Sequence, residues 1–214
     1  MLATVDLLFA VVGTRMPSDH GYALYSSLAR LLPCLHDGSV PFAVLPVTGR
    51  PVGGGLIALD PHRSRLRLRL SAADLPRVLP LAGKCLTVLG HRVALGVPHV
   101  RPLDPAPTLF ARTVTFKNAT DPEAFLAAAR DGLDRLGVRG LPSVPEHLTR
   151  DGRPEPHRQV LRIRQTRIVC YSLLVDGLGP EDSFRLQAAG LGGRRHMGSG
   201  FFVPAGERGG GHDD

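Results

Sequence analysis

Histidine and arginine are the residues of this sequence whose chemistry stands out. The chain of 214 residues carries nine histidines and a formal charge of +7, and only Lys84 and Lys117 among its basic residues are lysines. Arginine presents a planar fork of donors that suits phosphate oxygens, and a neutral imidazole accepts a proton near neutral pH. The composition therefore favours an acidic partner such as nucleic acid.

Glycines and cations share one segment, GLGGRRHMGSGFF at 190–202. It is neither a Walker A loop nor a dinucleotide fingerprint, because Cys85 follows the only Gly-Lys pair and Arg195 stands where a third glycine is required. Glycine leaves the backbone bare, so its amides can approach a phosphate closely. We therefore predict phosphate contacts from this loop, by Gly192, Arg194, Arg195, Gly198 and Ser199.

Two further stretches alternate arginine with aliphatic residues, as a strand with one apolar face would. In HRSRLRLRL the alternating cations are Arg63, Arg65, Arg67 and Arg69. In the second stretch Arg162 and Arg164 share one face, and Leu161 and Ile163 share the other. Such faces are often simply solvated, but like charges at every second position repel one another. With no acid between them, the arginines indicate a polyanion, and we predict phosphate contacts for one or both strands.

The elements that position these residues follow one order, βαββαβ, used twice. The first unit has strands at 5–12, 40–47, 66–70 and 84–95, the last bent near Gly90, with helices at Leu24–Leu28–Leu31–Leu35 spacing and at 71–81. The second has strands at 109–116, 160–164, 168–175 and 201–203, a helix that follows a Thr120–Glu123 capping box, a helix at 180–189, and a polar loop at 141–157. We predict an α+β protein of two tandem ferredoxin-like (RRM-like) units at 1–104 and 105–204, and a disordered tail at 205–214.

Several classes of protein do not fit the sequence. Three separated cysteines without a CxxC pair indicate neither a zinc ribbon nor a disulfide framework. The apolar start lacks a basic leader, and no apolar run is long enough to cross a membrane, so we expect a cytoplasmic protein. The sequence also lacks HExxH and carboxylate clusters at metal-ligand spacing, so we expect no metal and no cofactor.

The glycine segment carries a resemblance to a known family. Its pattern, Gly190-Leu-Gly192, five residues, then Gly198-Ser-Gly200, resembles the C-terminal G-h-G-x5-G-h-G signature of the repeat-associated (RAMP) proteins of CRISPR systems, although Ser199 is polar where an apolar residue is usual. Among these, the chain is similar to the Cas6 family of pre-crRNA-processing endoribonucleases. The N-terminal VVGTRMPSDHGYALYSSLARLLP is similar to the small variant of type I-MYXAN systems.

The resemblance implies a reaction and partners. Family members bind CRISPR repeat RNA, often as a stem-loop, and cut one bond without metal. The ribose 2′-OH attacks the adjacent phosphate, which leaves a 2′,3′-cyclic phosphate and a 5′-OH. Other Cas proteins of a type I interference complex are further expected partners.

The resemblance also directs attention to the histidines. We predict His20 as the general base, because it stands at the first turn of the first helix, where the helix dipole favours a neutral ring. His36, which follows the same helix beside Asp37, is the rival. The remaining candidates are helpers, with the two tyrosines orienting the 2′-OH or phosphate and the third histidine protonating the leaving 5′ oxygen: Tyr22, Tyr25 and His196.

Two alternatives share the expected fold. A non-catalytic RNA-binding subunit of CRISPR effector complexes would keep the glycine loop without needing a positioned base. An ordinary RRM module is weaker, because such modules stack bases on sheet aromatics and only 5% of these residues are aromatic.

Overall fold

The computed structural model describes residues 3–149, 151–163 and 165–210. The chain forms two compact units. The first contains the residues through Leu103 together with His196–Gly198, and the second contains Asp104–Arg195 and Ser199–Arg208. No helix within the described ranges is long and apolar enough to cross a membrane.

The first unit contains eight strands and two α-helices among its described residues. The strands are β1 (Thr4–Val12), β2 (Arg15–Pro17), β3 (Phe42–Leu45), β4 (Arg50–Pro51), β5 (Leu56–Ala58), β6 (Arg65–Ser71), β7 (Cys85–Val88) and β8 (His91–Pro102). The helices are α1 (Gly21–Leu31) and α2 (Leu75–Val78), with 3-10 turns at Pro33–Leu35, Ala72–Asp74 and Leu79–Leu81.

The main sheet of this unit is antiparallel and has the strand order β3-β6-β1-β8-β7. Alternation along the strands puts Leu7 and Phe9 of β1 and Leu68 of β6 into the core, all fully buried. Leu24 and Leu28 of α1 belong to the same core. Apolar residues that recur at every second position in the strands and at every third or fourth position in the helix therefore pack into one apolar layer.

Two features of this unit differ from the sequence predictions. The predicted single bent strand at 84–95 is wrong, because the chain reverses at Leu89 and Gly90, whose φ values of 49° and 84° make a tight hairpin between β7 and β8. β8 then runs to Pro102, well past the predicted strand end at residue 95. A second, three-stranded sheet of order β2-β5-β4 was not predicted.

The second unit contains strands β9 (Leu109–Val114), β10 (Leu141–Ser143), β11 (Glu146–Leu148), β12 (Pro154–Pro156), β13 (Arg158–Ile163), β14 (Thr166–Asp176) and β15 (Val203–Pro204). Its helices are α3 (Pro122–Leu136) and α4 (Pro180–Ala189). The antiparallel sheet has the order β10-β14-β9-β15, and β13 pairs with β14 outside that path. β11 and β12 form a separate hairpin inside the predicted polar loop.

α4 begins at the predicted residue, Pro180, whereas α3 begins one residue later than its predicted capping box implies. Asp121, not Thr120, caps α3: its Oδ1 accepts a hydrogen bond from the Ala124 amide at 2.9 Å. Gly137 ends α3 in the left-handed conformation. Ala205–Gly210, predicted to be disordered, forms a 3-10 helix, and 211–214 lie outside the described residues.

Candidate active site

The predicted general base, His20, is a buried structural residue. Its side chain is 2% exposed. Nδ1 lies 2.7 Å from the Pro17 carbonyl oxygen, and the Val47 amide donates to Nε2 at 3.0 Å. An amide donates only to an unprotonated nitrogen, so the ring is the neutral tautomer whose Nδ1–H donates to Pro17. Both ring nitrogens contact backbone groups, so in this geometry neither is available to accept the substrate's proton. The assignment of His20 as general base stays a prediction that this geometry does not favour.

Three of the remaining catalytic candidates, Tyr25, His36 and His196, meet in one cluster. The hydroxyl of Tyr25 lies 3.5 Å from Nδ1 of His36. The ring centroid of Tyr25 lies 4.5 Å from that of His196, and Phe42 stands 6.5 Å from the same imidazole. His36 is exposed, whereas Tyr25 and His196 are half-buried. Two imidazoles therefore flank one phenol at a position that solvent reaches.

Local structure explains how His36 reaches Tyr25. α1 ends at Leu31, and the 3-10 turn Pro33–Leu35 reverses the chain. Leu35 is buried and anchors this turn in the core. His36 is the next residue, and the turn brings it back beside α1. Tyr22, the other tyrosine candidate, lies three residues before Tyr25 on α1 and is half-buried.

An ionised carboxylate stands next to His36 in the chain. The Ser39 amide donates to Oδ1 of Asp37 at 2.8 Å. This hydrogen bond, helped by the Ser39 hydroxyl and by the nearby Arg77 and His36, holds the pKa of Asp37 below its ordinary value. Arg77 also donates to the Ser39 carbonyl and hydroxyl oxygens, at 2.8 and 2.6 Å, which fixes the turn. The arrangement keeps a negative charge beside His36 at neutral pH.

The glycines of 190–200 serve the packing of the protein itself. A Cβ on Gly192 would lie 2.5 Å from the Thr115 carbonyl oxygen, and one on Gly200 would collide with the Leu191 carbonyl oxygen. Both glycines have positive φ, 78° and 70°. The Gly200 amide donates to the Thr113 carbonyl of β9 at 2.7 Å. Close approach to neighbouring backbone therefore already requires glycine at both positions, and contact of this loop with a phosphate stays a prediction.

Two residues of this loop that were predicted to bind RNA are buried. Ser199 is fully buried, and its hydroxyl lies 3.4 Å from that of Thr115. Gly198 is buried, and a Cβ there would lie 2.5 Å from Cγ of Pro46. Neither residue presents an accessible group to a phosphate, whereas Gly192 is exposed.

The two loop arginines differ. Arg195 is half-buried, and its Nη2 donates to the Ala188 carbonyl at the end of α4, at 3.0 Å. A cation at a helix C-terminus satisfies a terminal carbonyl and complements the dipole. Arg194 is exposed and has a φ of 62°, which points to a constrained turn. Arg194 is the loop cation best placed to meet a ligand.

The arginines of β6 do not form the solvent-facing stripe that the sequence predicted. Arg67 and Arg69 are 7% and 2% exposed, and both pair with the buried Asp6 of β1. Arg69 donates to both oxygens of Asp6, at 2.8 and 3.0 Å. The missing acid comes from the neighbouring strand, because Asp6 lies directly opposite Arg69. Asp6, a single acid inside the apolar strand β1, was the feature of the sequence that could have predicted this ion pair.

The other two residues of that stripe lie at its end. Arg65 is half-buried and donates to the Pro61, His62 and Ser64 carbonyl oxygens at 2.7–3.1 Å, so it closes the preceding turn. Arg63 is exposed and lies in that turn, outside β6.

The second basic strand remains exposed. Arg158 and Arg162 of β13 point to solvent, and Arg162 lies directly opposite the exposed Arg167 of β14. Leu161 is buried, as the alternation predicted. Arg164 lies outside the described residues. Like charges that face each other across a strand pair repel. The exposed face of the β13–β14 pair, called the β13–β14 ribbon below, therefore suits an anionic ligand.

Comparison with known proteins identifies relatives of the whole chain. The family model described as Cas6 Crispr matches residues 5–207. The chain is 41% identical over 206 residues to the CRISPR-associated endonuclease Cas6 of Myxococcus xanthus (strain DK1622), a match that covers 96% of this chain and 84% of that protein.

Solved structures agree on the fold. The chain is similar to a Cas6-related protein from Pyrococcus furiosus, with a TM-score of 0.62 and 10% identity over 93% of this chain and 97% of the other. It is also similar to a RAMP protein binding different RNA substrates, with a TM-score of 0.61 and 12% identity over 94% and 98% of the two chains. These likenesses show the shared mixed α/β fold with antiparallel sheets.

Proposed function

The chain belongs to the Cas6 family of CRISPR proteins, and we propose that it is a metal-independent endoribonuclease that cuts CRISPR precursor RNA within its repeats. The 2′-OH beside the scissile phosphate attacks phosphorus, and the bond to the 5′ oxygen breaks. The products are a 2′,3′-cyclic phosphate and a 5′-OH. The observation that carries this proposal is the cluster in which Tyr25 contacts both His36 and His196.

His36 takes the role of general base in this proposal. When Nδ1–H of His36 donates to the Tyr25 hydroxyl oxygen, Nε2 carries the lone pair and accepts the 2′-OH proton. The exposure of His36 gives RNA access to it, which His20 lacks. Tyr25 holds the orientation of the ring.

His196 takes the role of general acid. Its imidazole packs against the ring of Tyr25, whereas His36 approaches the Tyr25 hydroxyl. A protonated His196 gives its proton to the departing 5′ oxygen, so that the two histidines end the reaction with their protonation states exchanged.

Two exposed regions supply the charge for RNA binding. Arg194 lies in the glycine loop, and Arg158, Arg162 and Arg167 lie on the β13–β14 ribbon. Phosphate contacts of this kind position the RNA without reading its sequence. A repeat stem-loop is the proposed ligand, with other Cas proteins of a type I interference complex as further partners, and the cytoplasm is the proposed location.

The architecture fits a tandem ferredoxin-like layout. In the first unit the four main strands β1, β3, β6 and β8 lie in the order β3-β6-β1-β8, and in the second β9, β10, β14 and β15 lie as β10-β14-β9-β15. Numbered by position along the chain, both orders are 2-3-1-4. The same order in both sheets supports two units of one design.

Cleavage of repeat RNA in the presence of EDTA tests the proposal. The parent protein should cut once per repeat and leave a cyclic phosphate, and a 2′-deoxy substitution at the cut site should block the reaction. Retained binding without cutting would instead favour a non-catalytic subunit, and cutting that depends on added metal would exclude the mechanism.

Variants separate the histidines. His36→Ala should lower the single-turnover rate by a factor of about 10²–10⁴, as the loss of a general base does, while repeat binding stays close to parental. Tyr25→Phe keeps the ring against His196 and removes only the hydroxyl, so it should give a smaller loss. His62→Ala, in an exposed turn, is the matched control and should cut normally. Parental cutting by His36→Ala would remove His36 from this role.

A further inference from the structure

The small sheet β2-β5-β4 brings two arginines to one point of its surface. Arg15 of β2 and Arg50 of β4 both lie directly opposite Ala58 of β5. Directly opposed residues of an antiparallel sheet share a face, so the two arginines stand on either side of one methyl group. Neighbouring strands lie about 4.8 Å apart, which places the two Cα atoms at roughly 10 Å.

The charge of this pair is not neutralised by the described part of the protein. Both arginines are exposed, and neither has an ion pair among the described residues. The nearest acids along the chain are Asp19, four residues after Arg15, and Asp60, ten residues after Arg50. Among the described residues neither forms an ion pair with Arg15 or Arg50, and Asp60 accepts a hydrogen bond from the His62 amide at 2.7 Å. Two guanidiniums held on one face without an acid repel each other, and an anion between them would relieve that repulsion.

The surroundings leave room for a bulky ligand. Ala58 is small, and the turn that joins β4 to β5 contains three successive exposed glycines, Gly53–Gly54–Gly55. All three have positive φ, from 60° to 79°, and nothing lies within 4 Å of the position of a Cβ on any of them. The backbone of this turn is therefore bare beside the arginine pair.

Hydrogen bonds tie this sheet to the start of α1, which carries Tyr25. The Ser18 amide donates to the Gly55 carbonyl oxygen at 2.8 Å. The imidazole of His20 joins Pro17, at the end of β2, to Val47, three residues before β4. The arginine pair thus has a defined place relative to the candidate active site within the same unit.

We propose that Arg15 and Arg50 form a phosphate-binding pair that holds the backbone of the RNA substrate away from the cut. Planar guanidiniums bind phosphate oxygens with two parallel hydrogen bonds, and a pair can hold one phosphate or two successive ones. The inference rests on the proposed function, since the ligand is the RNA that the active site cuts. These residues position the RNA and take no part in the bond-breaking step.

A salt titration with the full chain tests the pair. Binding of repeat RNA is measured for the parent, for Arg15→Ala/Arg50→Ala, and for Arg92→Ala/Arg130→Ala, a control that removes the same charge from two exposed positions elsewhere. Each phosphate contact to a single strand contributes about 0.7 to the slope of log affinity against log salt. We expect the slope of the test variant to fall by about 0.7 for one phosphate or about 1.4 for two, with that of the control unchanged.

The cleavage rate at saturating RNA completes the test. The Arg15/Arg50 variant should cut at the parental rate once the RNA is bound, because neither residue touches the reacting atoms. If the parent binds and cuts repeat RNA and the folded Arg15/Arg50 variant keeps the parental slope, the phosphate-binding role of the pair is refuted. The proposed function is not affected by that result. An equal loss of slope in the control would also refute the role of the pair, because the effect would then be one of total charge. A parent that neither binds nor cuts repeat RNA would refute both.

Discussion

The strands β6 and β13 carry the same alternation of arginine and aliphatic residues but lie in opposite environments. On β6, Arg67 and Arg69 are buried around the carboxylate of Asp6. On β13, Arg162 is exposed and faces another arginine, Arg167. The difference comes from the neighbouring strand: β1 contributes an acid opposite its arginine, and β14 contributes a cation. A basic strand is therefore a candidate ligand surface only when its neighbour leaves the charge unbalanced.

The largest expected effect lies on the buried side of this comparison. Asp6→Ala should destabilise the protein by about 3–5 kcal/mol, because it leaves two buried guanidiniums without their carboxylate. Urea denaturation measures the loss. Asp151→Ala, at an exposed position, is the control and should stay within about 0.5 kcal/mol of the parent. An unchanged unfolding midpoint for Asp6→Ala would show that the buried charges have another compensation.

The exposed side should respond in binding and not in stability. Arg162→Ala/Arg167→Ala should reduce the slope of log affinity for repeat RNA against log salt by about 1.4–1.8, the range for two phosphate contacts on single or double strands. Stability should be unchanged or slightly higher, since the repulsion between the pair is removed. If Arg92→Ala/Arg130→Ala lowers the slope by the same amount, the effect comes from the total charge of the protein and not from contacts of β13 and β14 with the RNA.

A third variant tests whether a neighbouring acid is enough to explain why β6 and β13 differ in RNA binding and stability. Val160→Asp places a carboxylate between Arg158 and Arg162 on the exposed face of β13, as Asp6 is placed beside β6. Val160→Asn is the reference for this variant, because Asp and Asn both lose the strand propensity of valine and only Asp adds a charge. Relative to Val160→Asn, we expect weaker RNA binding and a stability higher by about 0.2–1 kcal/mol, because the carboxylate lies diagonally across from Arg167. Unaltered RNA affinity in Val160→Asp would indicate that this face does not meet the RNA.

The smallest effect concerns an exposed carboxylate, Asp37, in contrast to the buried Asp6. Its pKa is lowered in the folded protein, chiefly by the Ser39 amide, so its ionised form stabilises the fold above the ordinary pKa of about 3.9. That contribution disappears as the pH falls through the lowered folded value. The Tm of Asp37→Asn should therefore lie slightly below that of the parent at pH 7 and match it at the acid end. A difference that grows on acidification would contradict this sign.

The sequence predicted local features well where neighbouring residues determine them. The helix α4 was predicted with its observed bounds, Pro180–Ala189, because Pro and acids mark its start and Gly190 follows its end. The family was also predicted and is confirmed by the Cas6 family match. The helix prediction depends on adjacent residues, and the family prediction depends on two short segments, 11–33 and 190–200, each of which is recognisable by itself.

The sequence failed where a distant residue decides the environment. Asp6 lies 61 and 63 residues from the arginines that it pairs with, and Val47 lies 27 residues from His20. Nothing in MPSDHGYALY shows that both nitrogens of that imidazole would be occupied by backbone groups. The order of preference between His20 and His36 was a question of tertiary contacts, which neither helix position nor spacing could answer.

The occupied ring of His20 also has a consequence for hydrogen exchange. The Val47 amide hydrogen is held by an imidazole nitrogen, whereas most protected amides in a sheet are held by carbonyl oxygens. A carbonyl oxygen still accepts in mild acid, but an imidazole nitrogen that gains a proton becomes a donor. Protonation of His20 would therefore remove the acceptor of this amide and speed its hydrogen exchange, whereas the amides of β3 that bond to carbonyl oxygens would keep their acceptors. The exchange rate of the Val47 amide thus reports whether the start of α1 remains bonded to the segment before β4.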